Sequence, residues 1–127
     1  MKILVLEDDL ERIKQFKERF KSFQGIDRVD YCDTAQNCIE LLKLSEYSLI
    51  FLDHDLGGEV FVNYEDKNTG SEVARWIEKN PLKNGQSVIV HSCNPGGAQY
   101  MMHLIKNSIH VPFVWIDETF KKTFVQL

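Results

Sequence analysis

The chain has 127 residues, 43% hydrophobic and 27% charged, which is one ordinary core's worth of globular protein. A net charge of −4 argues against a general DNA or RNA clamp, though not against an RNA end held through a metal. Three cysteines, Cys32, Cys38 and Cys93, form no CxxC pair and read as reduced thiols of a cytoplasmic protein; no apolar run is long enough for a membrane.

Residues 2–6 are aliphatic and read as a buried strand, stopped by Glu7-Asp8-Asp9. The stop is too early and too acidic for a signal peptide. Asp8 or Asp9 then caps a helix over 10–23, with Ile13, Phe16, Phe20 and Phe23 at helical spacing and Gln24-Gly25 at its end. A short strand over 28–32 follows. Asp33-Thr34 caps a second helix whose inner face is Ala35, Cys38, Ile39 and Leu42. The apolar row Leu49-Ile50-Phe51-Leu52 is a third strand, buried on both faces, and it runs straight into Asp53-His54-Asp55. Residues 57–69 are long for a strand-to-helix connection. They read as an inserted flap, either working over the acidic rim or lying as a plain surface insert. A third helix covers 71–79 and stops at Asn80-Pro81. A fourth strand over 87–90 ends in His91-Ser92. Asn94 as N-cap and Pro95 at N1 open a fourth helix, with Ala98, Met101, Met102 and Ile105 inward. Residues 111–116 read as a fifth strand and 117–124 as a short last helix.

Five strands alternating with five helices predict one α/β domain over residues 1–127, a parallel sheet with helices on both faces. The flavodoxin-like strand order 2-1-3-4-5 then opens a crevice at the carboxyl ends of the first and third strands. That order brings Glu7 and Asp8 beside Asp53 and Asp55, with His91, Ser92 and Asn94 arriving from the fourth strand. Carboxylates so crowded repel one another, and a hard divalent cation such as Mg2+ resolves the repulsion, with phosphate oxygens completing its shell. Taken alone, Glu7-Asp8-Asp9 also serves as a simple helix cap. His54 and His91 are candidates for acid–base work. Strand alternation turns His54 away from Asp53 if the strand persists. Ser92-Cys93-Asn94-Pro95-Gly96-Gly97 suits a phosphate seat, in which Ser92, Asn94, Gly96 and Gly97 offer donors and close approach. The same residues also make an ordinary N-cap with a glycine turn. Cys93 reads as a packed thiol, His103 as a helix-surface residue and His110 as a loop residue.

The run Ile3-Leu4-Val5-Leu6-Glu7-Asp8-Asp9, with Asp53 and Ser92 at later strand ends, resembles the receiver domain of two-component response regulators. That resemblance implies Glu7 and Asp8 as a metal-binding pair, Asp53 as phosphoacceptor and Ser92 as the hydroxyl that follows phosphoryl transfer. It places Asp55 where a metal-contacting backbone carbonyl stands. Receivers also carry a lysine, usually followed by proline, at the end of the fifth strand; residues 114–120 hold acids and no lysine.

A closer resemblance covers nearly the whole chain. Leu52-Asp53-His54-Asp55-Leu56-Gly57-Gly58, Thr69-Gly70 with Val73-Ala74 and Trp76-Ile77, and His91-Ser92-Cys93-Asn94-Pro95 with Gly97-Ala98 and Met101 resemble the cyclic-phosphate processing receivers. The resemblance implies RNA processing at cyclic phosphate ends; a metal-dependent hydrolysis of such ends in RNA or nucleotides would use Asp53, His54, His91 and Ser92 as catalytic residues, with His54 or His91 moving the proton. Glu7, Asp8, Asp53 and Asp55 would serve the metal. Two other readings stay open: a degenerate receiver phosphorylated on Asp53 that signals to a protein partner, and a non-catalytic binding module.

Overall fold

A computed structural model describes residues 1–58 and 62–113. The described elements are β1 (Lys2–Leu6), α1 (Leu10–Phe20), β2 (Arg28–Cys32), α2 (Ala35–Leu44), β3 (Leu49–Leu52), α3 (Gly70–Lys79), β4 (Ser87–Val90), α4 (Pro95–Leu104) and β5 (Ile109–His110). The five strands form one sheet in the order β2-β1-β3-β4-β5, every pair parallel, as the alternation of elements predicts.

Side-chain alternation divides the core between the two faces. Ile3, Val5, Leu49, Phe51 and Ile89 pack with Phe16 and Phe20 of α1 and with Phe113. Leu4, Leu6, Ile50, Leu52, Val88 and Val90 pack with Cys38, Val73, Ala74, Ala98 and Met101 from α2, α3 and α4. The ladder continues one residue past the tips: the Glu7 amide donates to Cys32 O (2.9 Å), Asp53 to Leu6 O (3.1 Å) and His91 to Leu52 O (3.0 Å). Glu7, Asp53 and His91 therefore stand level, each with the parity of the α1 face.

Three boundaries differ from expectation. α1 ends at Phe20, not 23, because the amides of Ser22 and Phe23 bond back to Arg19 and Phe20 in a tightened turn. α3 begins one residue earlier, at Gly70. β5 comes before the expected 111–116: Ile109 pairs with Ile89 and His110 with Val90. The cause is a tight reversal after α4, where Asn107 takes the left-handed conformation (φ 64°). The Val111 and Phe113 amides donate to Val90 O and His91 O, so the chain keeps to the β4 edge for a few residues beyond β5. Residues 114–116, and the last helix expected over 117–124, lie outside the described residues. No described helix is long and apolar enough to cross a membrane.

Candidate metal and phosphate site

Glu7, Asp53 and His91 are 1%, 3% and 0% exposed, and one ligand atom from each lies within 4.8 Å of the others. Glu7 is the best-satisfied acid. Its Oε2 accepts the amides of Asp8 (3.1 Å) and Asp9 (3.2 Å), and its Oε1 faces His91 Nε2 at 3.0 Å. Burial opposes its charge, but the His91 contacts and the Asp9 amide outweigh burial, holding the carboxyl below its ordinary value. Since Glu7 is the carboxylate, Nε2 carries the proton of that bond, and His91 Nδ1 stays buried without a partner among the described residues.

Asp53 behaves oppositely. Burial first, and then the charge and hydrogen bond of Glu7, push its carboxyl up to about 9. The His54 amide on Oδ1 (2.9 Å) and the Arg12 guanidinium (4.0 Å from Oδ2) pull the other way without prevailing. Near neutrality the pair thus carries one negative charge and one proton, an arrangement a divalent cation would relieve. Two carboxylates match Mg2+, and an imidazole added to them also suits Mn2+. A groove of about 500 Å³, lined in part by Glu7, Tyr31, Asp33, Asn37 and Glu40, opens beside this row.

The other predicted site residues fall on the opposite face. His54 is fully buried against α4, where a Cβ added to Gly97 would meet its ring at 2.4 Å. Its Nδ1 lies 2.8 Å from Asp55 Oδ1, an oxygen that also accepts the Val62 amide and Asn94 Nδ2, each at 3.1 Å. Asp55 is thus committed to His54 and Asn94 and stands outside the Glu7–Asp53–His91 group. Asp8, half-buried at the rim, accepts the Gly58 amide at 2.7 Å and is likewise outside that group. Ser92 Oγ accepts the Asn94 amide (3.0 Å) in a tight turn, so His91, not Ser92, is level with Asp53.

Asn94 is the N-cap of α4: its Oδ1 accepts the Gly97 amide at 3.1 Å, which leaves Gly96 as the exposed glycine of the turn. Its Nδ2 reaches Asp55 and the Val62 carbonyl (3.1 Å), clamping the inserted connection. An Asp55–Thr69 bridge closes that connection, and Arg75 holds the carbonyls of Tyr64 (2.7 Å) and Asp66 (3.2 Å). The insert is therefore tied down from residue 62 onward; residues 59–61 lie outside the described residues. Asn94→Ala is expected to cost about 2 kcal/mol, a cap plus the half-buried hydrogen bonds of Nδ2, and to speed proteolytic cleavage near residue 62. An unchanged melting temperature and cleavage rate would refute the clamp.

Three smaller expectations need correction or stand. His110 lies on β5 rather than in a loop, its Nε2 2.7 Å from Ser92 O. Cys93 is exposed rather than packed. His103 is on the exposed surface of α4, as expected. Two positions near the site were not singled out from the sequence. Arg12 Nη1 sits 3.7 Å from Glu7 Oε1. Val111 follows β5 directly, its amide on Val90 O, and with Pro112 after it stands where the receiver resemblance implies lysine. The available signal was the Val-Pro pair, with a cation in the first turn of a helix.

Parallel strands in the order 2-1-3-4-5, with acids just past β1 and β3, define a receiver-like domain. Solved structures share this fold. The phosphorylated cyanobacterial phytochrome response regulator RcpA has a TM-score of 0.72 at 21% identity, covering 98% of this chain and 93% of that one. The response regulatory domain of mrkE from Klebsiella pneumoniae has 0.71 at 14%, covering 100% of both chains. TrrA from Thermotoga maritima, in complex with Mg2+-BeF, has 0.67 at 20%, covering 95% and 96%. The chain belongs to the cyclic-phosphate processing receiver domain family, whose sequence profile matches residues 3–107. No curated protein matches it.

Proposed function

We propose that this domain hydrolyses the cyclic phosphate ends of RNA or of nucleotides in a reaction that depends on a divalent metal. The observation that carries the reading is the buried row of Glu7, Asp53 and His91, in a chain of the cyclic-phosphate processing family. Glu7 and Asp53, with His91 beside them and Asp8 at the rim, would hold Mg2+ or Mn2+. TrrA, of the same fold, is described with Mg2+-BeF, which supports a cation here. Once bound, the metal supplies charge neutralisation at phosphorus and a more acidic water.

The chain's own groups manage the protons. Asp53 gives up the proton it holds near neutrality as positive charge arrives. His91 Nδ1, the nitrogen without a partner among the described residues, would accept a proton from the attacking water and return it to the ribose oxygen that leaves phosphorus, while Nε2 keeps its proton on Glu7. Hydroxide adds to phosphorus, one P–O bond breaks, and the imidazole ends as it began. His54 acts as a positioning residue through Asp55 and Asn94. The start of α4, with Gly96 exposed, is an end that favours phosphate oxygens. Signalling through a phosphorylated Asp53 fits less well, because β5 ends at His110 and is followed by Val111-Pro112, with no lysine there to read the phosphate.

Purified protein with Mn2+ or Mg2+ should convert a 2′,3′-cyclic nucleotide, or an RNA bearing that end, to a monophosphate. Asp53→Asn should lower the rate about a hundredfold and His91→Ala at least about tenfold. Full activity in both variants, or in excess chelator, would overturn the assignment.

A further inference from the structure

Arg12 is out of place by the rules of helix stability. It lies three residues after the N-cap Asp9, in the first turn of α1, where the helix dipole disfavours a cation. Its guanidinium lies 3.7 Å from Glu7 Oε1 and 4.0 Å from Asp53 Oδ2, closer to these buried acids than a merely exposed charge needs to be. Both distances exceed hydrogen-bond length, so charge and no directed bond holds it there. The group also lies over the Phe113 ring, 5.4 Å from its centre, and its side chain is 32% exposed. Phe113 follows Val111-Pro112, so Arg12 reaches across to the strand end that lacks a cation of its own.

We propose that Arg12 is a transferable counter-ion: it balances the single negative charge of the Glu7–Asp53 pair while no metal is bound, then binds the substrate's phosphate once a divalent cation takes those carboxylates. The inference rests on the metal and phosphate reading of the site and deepens it. A guanidinium and a divalent cation repel each other and compete for the same two acids. Displaced by a few ångströms, the planar fork of Arg12 presents paired N–H donors to phosphate oxygens, with its stack on Phe113 as the pivot. No directed bond has to break for the move.

The test is titration calorimetry with Mn2+, and then with inorganic phosphate on the Mn2+-loaded protein. Arg12→Gln should bind Mn2+ about tenfold more tightly and phosphate about tenfold more weakly than the wild type. Arg12→Lys keeps the charge and loses the fork; it should hold Mn2+ like the wild type and still bind phosphate more weakly. Lys14→Gln removes an equal charge from the exposed side of the same helix and should leave both constants unchanged. Unchanged or weaker Mn2+ binding in Arg12→Gln overturns the proposal. So do unchanged phosphate binding, equal shifts in Lys14→Gln, and a wild type that binds no Mn2+. If the shifts appear but no cyclic phosphate is cleaved, the enzymatic reading falls and the role of Arg12 stands.

Discussion

Asp53→Asn raises the stability of the metal-free protein at pH 8 by an expected ~2 kcal/mol, even as it removes a proposed metal ligand. Asp53 is 3% exposed, and its carboxyl, ordinarily at 3.8, is pushed up to about 9 by burial and by Glu7. Below about 4 the folded and unfolded chains both hold this proton, and folding is not penalised. Between that value and about 9 the unfolded chain has lost the proton while the folded chain keeps it. Stability therefore falls as pH rises through this window, and the neutral amide avoids the fall. Glu7 has the opposite sign. Its carboxyl is held below the ordinary 4.5, so its contribution is present above that value and is lost as pH falls through the depressed one. Melting temperatures of metal-free wild type and Asp53→Asn at pH 5, 7 and 9 check this. The gap should widen with pH, and excess Mn2+ should close it by stabilising only the wild type. A gap that is constant or shrinks with pH would refute the assigned proton.

Gly70→Ala is expected to be the most damaging single methyl in the described chain, at about 3 kcal/mol or failure to fold. A Cβ at Gly70 would lie 1.9 Å from the Asp53 carbonyl oxygen, 2.9 Å from its carbon and 2.7 Å from Met101 Cε. Backbone cannot swing aside as a side chain can, and the Gly70 amide is bonded to His54 O at 3.0 Å. Either α3 withdraws or Asp53 moves, so Mn2+ binding should weaken with stability. Gly85→Ala is the contrast. Nothing lies within 4 Å of its added Cβ, and the cost is only that of φ +90°, about 1 kcal/mol. Urea midpoints that rank the two substitutions equally would refute this account of the α3 start.

The candidate site was half legible in the sequence. Acids and histidines at strand ends could be seen, because a buried aliphatic run that turns abruptly polar marks a tip. Glu7, Asp53 and His91 were all named in this way. Which neighbour joins them could not be seen. His54 turns to the α4 face as alternation requires, but Asp55, which alternation would return to the Asp53 side, joins it there because the strand has ended and Asp55 bridges to Thr69 instead. Arg12 was hidden for a different reason: its partners are set by how α1 lies across the sheet, not by its own neighbours in sequence.

Local chemistry is enough for the kinds of element, their order and the parallel sheet, because aliphatic runs, helical spacing and caps act within a few residues. Registry across strands is not local. It depends on hydrogen bonds between segments tens of residues apart and on a single left-handed Asn107 that starts β5 early. Those long-range bonds put Glu7, Asp53 and His91 on one level and turned His54 beneath α4. They also left Val111 where a cation was expected, with Arg12 facing the acids from α1.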